Sequence, residues 1–150
     1  MSIYLNDENA TLEAGSKLAN WLQSHKLNTE IHLIGDLGAG KTTLARGFLE
    51  RLGWDGAVKS PTYTLCEEYL LRGFFVIHCD LYRLNTFEDF ELLNLDRNSP
   101  LTKVLLIEWP DKLALKRKPD IEIHLLHKDK GRELKLMVAD GSLKIPRELL

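Results

Sequence analysis

Two patterns of apolar and polar positions occur along this chain: apolar residues at helical spacing predict helices, and short apolar runs predict strands. Apolar side chains recur at helical spacing over residues 11–25, and Thr11 precedes them as a suitable N-cap. A second amphipathic pattern predicts a helix over 41–52. Thr86 is followed three positions later by Asp89, a pairing that predicts the start of a third helix.

Short apolar runs rich in β-branched and aromatic residues predict the strands. Arg72-Gly73 lies between two such runs, so they form a β-hairpin. The run KVLLIE at 103–108 is apolar until its last residue, which is typical of a strand buried on both faces of a sheet. Strands are predicted at 31–35, 62–70, 73–79, 103–108, 121–126 and 133–138. This order predicts an α/β fold with a mixed sheet, parallel at its centre and antiparallel toward its end.

Composition narrows the class of protein. With 150 residues, 44% hydrophobic and 28% charged, the chain is expected to form one globular domain over 1–150 and not a disordered protein. A net charge of -2 argues against binding nucleic acid mainly by charge. We see no signal peptide or membrane span and expect a cytoplasmic protein. Cys66 and Cys79 are its two cysteines, and we expect both to be reduced thiols.

A glycine-rich string between the strand at 31–35 and the helix at 41–52 has a specific chemistry. Residues 35–42, GDLGAGKT, match the phosphate-loop (P-loop) pattern G-x-x-x-x-G-K-[ST]. Its backbone amides and the following helix N-terminus face phosphates, Lys41 reaches the outer phosphates and Thr42 offers its hydroxyl to Mg²⁺. The predicted nucleotide contacts are Gly35, Asp36, Leu37, Gly38, Ala39, Gly40, Lys41, Thr42 and Thr43. The fold class is therefore a P-loop NTPase-type, three-layer domain with a mixed, centrally parallel sheet flanked by helices.

Two acids end predicted strands on the expected nucleotide side. Asp80 ends FFVIHCD and Glu108 ends KVLLIE, and ligands gather at the carboxyl ends of parallel strands. We place Glu108 beside Thr42 on Mg²⁺, with Asp80 orienting water or holding the metal through water; the reverse assignment remains open. Thr62, in the segment 60–64, is either a γ-phosphate sensor or part of a plain proline turn.

Four strings together resemble one family. GDLGAGKTT at 35–43, SPTYTL at 60–65, HCDLYRL at 78–84 and IEWPDKL at 107–113 are similar to the TsaE (YjeE) family. The resemblance implies a slow, Mg²⁺-dependent ATPase needed to make threonylcarbamoyladenosine in tRNA. It also implies docking on the TsaD–TsaB pair, with TsaD performing the transfer and tRNA reached only through TsaD. No membrane partner is expected, and our expectation for the isolated chain is a monomer.

The resemblance assigns roles to individual residues. It implies that Lys41, Asp80 and Glu108 are catalytic, and that Trp109 stacks near the nucleotide or on a partner, with simple packing as the alternative. The absence of an N-K-x-D string favours adenine over guanine. A small-molecule kinase could use the same loop, and a nucleotide-gated binding module that does not hydrolyse ATP would share its binding site.

Topology suggests where adenine binds. If strand 121–126 runs parallel to the centre, the loop 127–132 lies on the nucleotide side, with Lys130 and Arg132 in reach of the nucleotide. Thr11, at the start of the first predicted helix, would lie on the same side. A guanidinium stacks on bases or binds phosphate, so Arg132 and Thr11 are the candidate base contacts. The alternatives are a helix cap for Thr11 and a solvated turn for Arg132.

Overall fold

A computed structural model describes residues 1–113, 117–139, 143–146 and 149. The strands are β1 (Ser2–Leu5), β2 (Thr29–Ile34), β3 (Cys66–Leu71), β4 (Phe74–Asp80), β5 (Thr102–Glu108), β6 (Ile121–Lys128) and β7 (Gly131–Val138). The helices are α1 (Glu8–His25), α2 (Lys41–Arg51) and α3 (Phe87–Leu92), with a 3₁₀ turn at Pro110–Leu113. The predicted α/β class is confirmed.

All seven strands belong to one mixed sheet, in the order β1-β7-β6-β2-β5-β4-β3. The central strand β2 pairs in parallel with β5 and β6, and β5 pairs in parallel with β4. The outer strands β3, β7 and β1 pair antiparallel. The predicted parallel centre is therefore confirmed, and four parallel strands end at one edge of the sheet.

Helices cover both faces of the sheet. On one face, α1 and α2 pack over a large core that includes Leu33, Phe48 and Leu106. Gly15 of α1 and Gly47 of α2 allow the two helices to approach closely. A Cβ at either position would overlap main-chain atoms of the other helix. On the other face, α3 helps cover β4 and β5 through a smaller apolar cluster. Among the described residues, no helix is both long and apolar enough to cross a membrane.

The amino-terminal region differs from the sequence prediction. Helix α1 begins at Glu8, and the side chain of Asp7 caps it by accepting from the Ala10 amide at 2.8 Å. Thr11 lies inside the helix and its hydroxyl donates to the Asp7 carbonyl at 3.1 Å, so the prediction of Thr11 as N-cap is wrong. Strand β1 was not predicted, because four residues carry little periodicity and their pairing partner, β7, is distant in sequence.

The hairpin of β3 and β4 turns at Arg72-Gly73 as predicted, but β3 begins at Cys66 and not at residue 62. Its register sets Cys66 opposite Cys79, with Cα atoms 4.1 Å apart, and the two sulfurs form a disulfide. The prediction of two reduced thiols is therefore wrong. At the other hairpin, β6 and β7 leave only residues 129–130 as the turn, so the predicted loop 127–132 is mostly strand.

Candidate functional site

The phosphate loop connects β2 to α2 at the carboxyl edge of the parallel strands. Gly40 is the N-cap of α2, with a φ of 106° that favours glycine and no capping side chain. The helix hydrogen bonds begin immediately, because the Leu44 amide donates to the Gly40 carbonyl at 2.9 Å. The first-turn amides of α2 are thus left to face a ligand, which is the arrangement that binds anions.

Lys41 is buried beside this loop, with only 4% of its surface exposed. Its Nζ donates to the carbonyls of Gly35 at 2.7 Å and Asp36 at 2.9 Å. Burial lowers the pKa of Lys41, and nearby acids, chiefly Glu108, oppose that shift. The loop therefore holds the ammonium in place before any ligand arrives.

Glu108 joins β5 to the phosphate loop. It is the last residue of β5 and is 2% exposed. Its Oε1 accepts a hydrogen bond from the Thr42 hydroxyl at 3.0 Å and lies 2.7 Å from Nε2 of His78. A hydroxyl and a carboxylate side by side are hard oxygen ligands, the kind that Mg²⁺ prefers together with substrate phosphates. These residues fit a magnesium ion.

Asp80 joins β4 to the segment 60–64. It lies beside Glu108 in the parallel register of β4 and β5. Its Oδ2 accepts from the Ser60 hydroxyl and, at 3.4 Å, from Thr62, while its Oδ1 accepts from the Tyr82 amide at 2.9 Å. The segment 60–64 is thus tied to an acid that lines the same cavity as the phosphate loop.

Trp109 follows β5 in a left-handed backbone conformation, with a φ of 57°. Such a conformation is unfavourable for a bulky residue and persists only where the surroundings impose it. The turn directs the indole toward Lys41, whose Nζ lies 4.2 Å from the ring centroid, and toward Tyr82, whose ring lies 5.0 Å away. The indole therefore borders the phosphate site and not the core of the sheet.

A cavity of about 400 Å³ lies where these elements meet. Most of the residues proposed from the sequence line it: Leu37, Gly38, Gly40, Lys41, Thr42, Thr43, Thr62, Asp80, Glu108 and Trp109. Gly35 and Asp36 contribute instead through the carbonyls that hold Lys41, and Ala39 is buried in the core. The structure thus brings together residues that are far apart in the sequence.

Ser60, Tyr82 and Arg83 also line the cavity but were not predicted as site residues, and neither was His78. His78 carried a usable signal, because it is a polar residue in an apolar strand and lies two positions before Asp80, on the same face. Ser60 lies in the segment 60–64, in which only Thr62 was proposed. Arg83 had no such signal, since its guanidinium is placed 4.5 Å from the Tyr63 ring only by tertiary structure.

The two proposed base contacts lie beside the loop but outside this cavity. A Cβ built on Gly40 would overlap the guanidinium of Arg132 and would lie 3.5 Å from Cγ2 of Thr11. The Nε of Arg132 is buried and has no hydrogen-bond partner among the described residues. Thr11 is fully buried, with its hydroxyl donating to the carbonyl of Asp7, the N-cap of α1. Lys130 is exposed in the turn between β6 and β7.

Comparisons with known proteins agree with this architecture. The model of the family described as threonylcarbamoyl adenosine biosynthesis protein TsaE matches residues 5–134. A "tRNA threonylcarbamoyladenosine biosynthesis protein TsaE" from Haemophilus influenzae is 42% identical over 139 residues, covering 89% of this chain and 87% of that protein. A protein of the same name from Synechocystis is 42% identical over 118 residues, covering 75% and 72%.

A solved structure shows the same fold. The crystal structure of YdiB from Bacillus subtilis superposes with a TM-score of 0.64 and 24% sequence identity, covering 93% of this chain and 85% of that one.

Proposed function

The chain belongs to the TsaE family of threonylcarbamoyl adenosine biosynthesis proteins, and from this premise we propose that it acts in making threonylcarbamoyladenosine in tRNA as a Mg²⁺-dependent ATP-binding protein and slow ATPase. In this role it supports the modification and is not itself the transferase. The observation that carries the ATPase proposal is one cavity lined by Lys41, Thr42 and the carboxylates of two neighbouring parallel strands.

Each group in the cavity has a task in phosphoryl transfer to water. Lys41 leaves its loop carbonyls to contact the outer phosphates, where its charge stabilises the developing negative charge. Thr42 and Glu108 would hold Mg²⁺, and the ion would supply charge neutralisation at the phosphate oxygens. Asp80 orients the attacking water. Thr62, hydrogen-bonded to Asp80, senses whether a γ-phosphate is present.

The nucleotide extends from this cavity toward Arg132. The guanidinium of Arg132 lies over the Gly40 end of the loop, and its buried Nε lacks a partner in the described part of the chain. A guanidinium there is suited to stacking on adenine or contacting phosphate. Thr11 supports this end of the loop through its methyl group, and a direct contact of its hydroxyl with the base stays a prediction.

Partners follow from the family role. We propose that the chain docks on TsaD and TsaB, reaches tRNA only through TsaD and works in the cytoplasm, where such an assembly would meet its tRNA. A pull-down of TsaD and TsaB with this chain, with and without ATP, tests the assembly. Retention of both proteins supports it, and no retention in either condition contradicts it.

Phosphate release tests the activity. We expect slow release from ATP with Mg²⁺ and no acceptor present, rising when TsaD and TsaB are added. Release that depends on an added small-molecule acceptor would instead identify a kinase. Tight ATP binding without any release, even with the partners present, would identify a nucleotide-gated binding module.

A further inference from the structure

His78 is a buried polar residue in a fully buried strand of the sheet. All seven residues of β4, FFVIHCD, are buried, and His78 is 0% exposed. Because side chains alternate along a strand, His78 shares its face with Val76 and Asp80, and Val76 belongs to the core on which α1 and α2 pack. In the parallel pairing of β4 with β5, the residue beside His78 is Leu106. An apolar side chain would fill this layer, so packing does not account for an imidazole here.

The His78 imidazole has one hydrogen-bond partner among the residues that the structure describes. Its Nε2 lies 2.7 Å from Oε1 of Glu108, whereas its Nδ1 is buried with no partner among the described residues. A carboxylate only accepts hydrogen bonds, so Nε2 carries the proton when Glu108 is ionised. Leaving Nδ1 unpartnered costs free energy in a dry interior. The fold accepts this cost at a position adjacent to the proposed catalytic acid.

The contacts of the two acids differ in one respect. Both oxygens of Asp80 are occupied, by Ser60 and Thr62 on Oδ2 and by the Tyr82 amide on Oδ1. On Glu108, the shorter contacts fall on Oε1, while within the described part of the chain Oε2 has only the Thr42 hydroxyl at 3.4 Å. The Glu108 side chain, which lines the cavity, is therefore held mainly through Oε1, and its Oε2 has the weaker contact.

We infer that His78 is a positioning residue for magnesium binding: its Nε2–H fixes Oε1 of Glu108 beside Thr42 and so keeps Oε2 free as a metal ligand. The inference rests on the proposed function, because it assumes that Glu108 binds Mg²⁺ with the nucleotide. Residues that hydrogen-bond to metal ligands commonly change metal affinity by about 10- to 100-fold when removed.

Three variants separate positioning from packing. His78→Leu removes the donor and keeps an apolar volume, His78→Gln restores an N–H near the position of Nε2, and Val76→Ala disturbs the same buried face two residues earlier. The Mg²⁺ concentration that half-saturates ATP binding and phosphate release is expected to rise about 10-fold in His78→Leu. It should stay within about twofold of wild type in His78→Gln and Val76→Ala, because both leave Glu108 anchored. Circular dichroism checks the fold of each variant.

A measurement on the protein without nucleotide or metal gives an independent readout. ¹⁵N NMR of the imidazoles should show His78 with its proton on Nε2 in wild type and a changed Nε2 resonance in Glu108→Gln. An Nε2 without a proton, as in a neutral imidazole protonated on Nδ1, or no response to Glu108→Gln, would overturn the inference even if His78→Leu fails to fold.

The magnesium titration can contradict either the positioning role of His78 or the magnesium dependence itself, and the two results differ. An unchanged Mg²⁺ requirement in folded His78→Leu, or the same shift in Val76→Ala, overturns the positioning role while leaving the proposed function intact. Wild-type protein that binds ATP equally with and without MgCl₂ overturns the magnesium part of the proposed function, and the inference with it.

Discussion

At the amino edge of the sheet Arg117 bridges Glu30 and Asp96, whereas at the carboxyl edge Lys41 faces Asp80 and Glu108 without an ion pair in the described part of the chain. Arg117 donates to both oxygens of Glu30 at 3.0 and 2.6 Å and to both oxygens of Asp96 at 2.9 and 2.8 Å. The hydrogen bonds of Lys41 go to loop carbonyls.

The difference separates charges that are paired with one another from charges that the chain leaves available for the proposed ligand. The hydrogen bonds that Arg117 donates to Asp96 and Glu30 raise its pKa despite partial burial, as expected where a guanidinium pairs with carboxylates through both of their oxygens. Burial lowers the pKa of Lys41, which shows a cation whose desolvation is not fully compensated by the chain. A bound triphosphate with Mg²⁺ would supply the missing charges at the carboxyl edge.

Lys41→Ala should have the largest effect on function. Removing the charge that faces the outer phosphates is expected to lower phosphate release at least about 100-fold. The free energy of unfolding should hardly fall, because the substitution also removes a buried charge whose desolvation the chain compensates poorly. Phosphate release with Mg²⁺ and thermal unfolding measure the two effects. Lys17→Ala, an exposed lysine paired with Glu13, is the control, and wild-type turnover in Lys41→Ala would refute the assignment of the loop.

Glu108→Gln and Asp80→Asn test the two acids. Each substitution keeps shape and removes charge, so each should lower phosphate release about 30-fold without changing the circular dichroism spectrum. Glu108→Gln should also raise the Mg²⁺ concentration required, because Glu108 contacts Thr42. A larger magnesium shift in Asp80→Asn would reverse the two roles. No effect of either variant with TsaD and TsaB present would show that the two-acid site is wrong.

Arg117→Ala tests the amino edge. Breaking these ion pairs leaves uncompensated acids, and because Glu30 is partly buried and Asp96 is exposed we expect a loss of only about 2 kcal/mol in unfolding free energy. Phosphate release per folded molecule should stay within about twofold of wild type, since Arg117 lies far from the cavity lining. Urea denaturation measures the loss. Lys135→Ala, which breaks an exposed 3.6 Å pair with Glu133, should cost much less, and equal costs would contradict the comparison.

The same network predicts a pH dependence. Burial would raise the pKa of Glu30, but hydrogen bonds from His32 and Arg117 outweigh it and hold that pKa below its ordinary value of 4.5. A lowered folded-state pKa contributes stability that is complete above about pH 4.5 and is lost as the pH falls further. The stability difference between wild type and Arg117→Ala should therefore narrow below that pH. Urea denaturation of both proteins at pH 7 and below about pH 4.5 measures this difference. If the stability difference between wild type and Arg117→Ala is the same at both pH values, the ionisation of Glu30 does not cause it.

Arg132→Ala should have the smallest effect of the four sets of substitutions. Losing a guanidinium contact to the nucleotide is expected to weaken ATP binding about 10-fold, measured by calorimetry. Lys128→Ala, at the end of the same hairpin, should change ATP affinity less than about twofold. Equal, small effects in the two variants would leave the base contact unsupported.

Local features were predictable because their causes lie within a few residues. The turn at Arg72-Gly73 and the cap at Thr86, whose hydroxyl accepts from the Asp89 amide at 3.1 Å, depend on neighbouring side chains alone. Thr11 was misplaced because Asp7 offers an equally good cap one turn earlier. The state of the cysteines was misjudged because only the register of β3 on β4 sets Cys66 opposite Cys79.

The sequence by itself determined the phosphate loop, since eight contiguous residues carry the glycines, the lysine and the hydroxyl that its backbone geometry needs. The tertiary structure decided which groups meet that loop. Thr42 and Glu108 are 66 positions apart, and His78 and Glu108 are 30 apart. The parallel register of β4, β5 and β2 brings them within hydrogen-bond distance. Periodicity in a sequence reports which face a side chain occupies, but strand pairing sets its neighbours, because that pairing depends on contacts across the whole sheet.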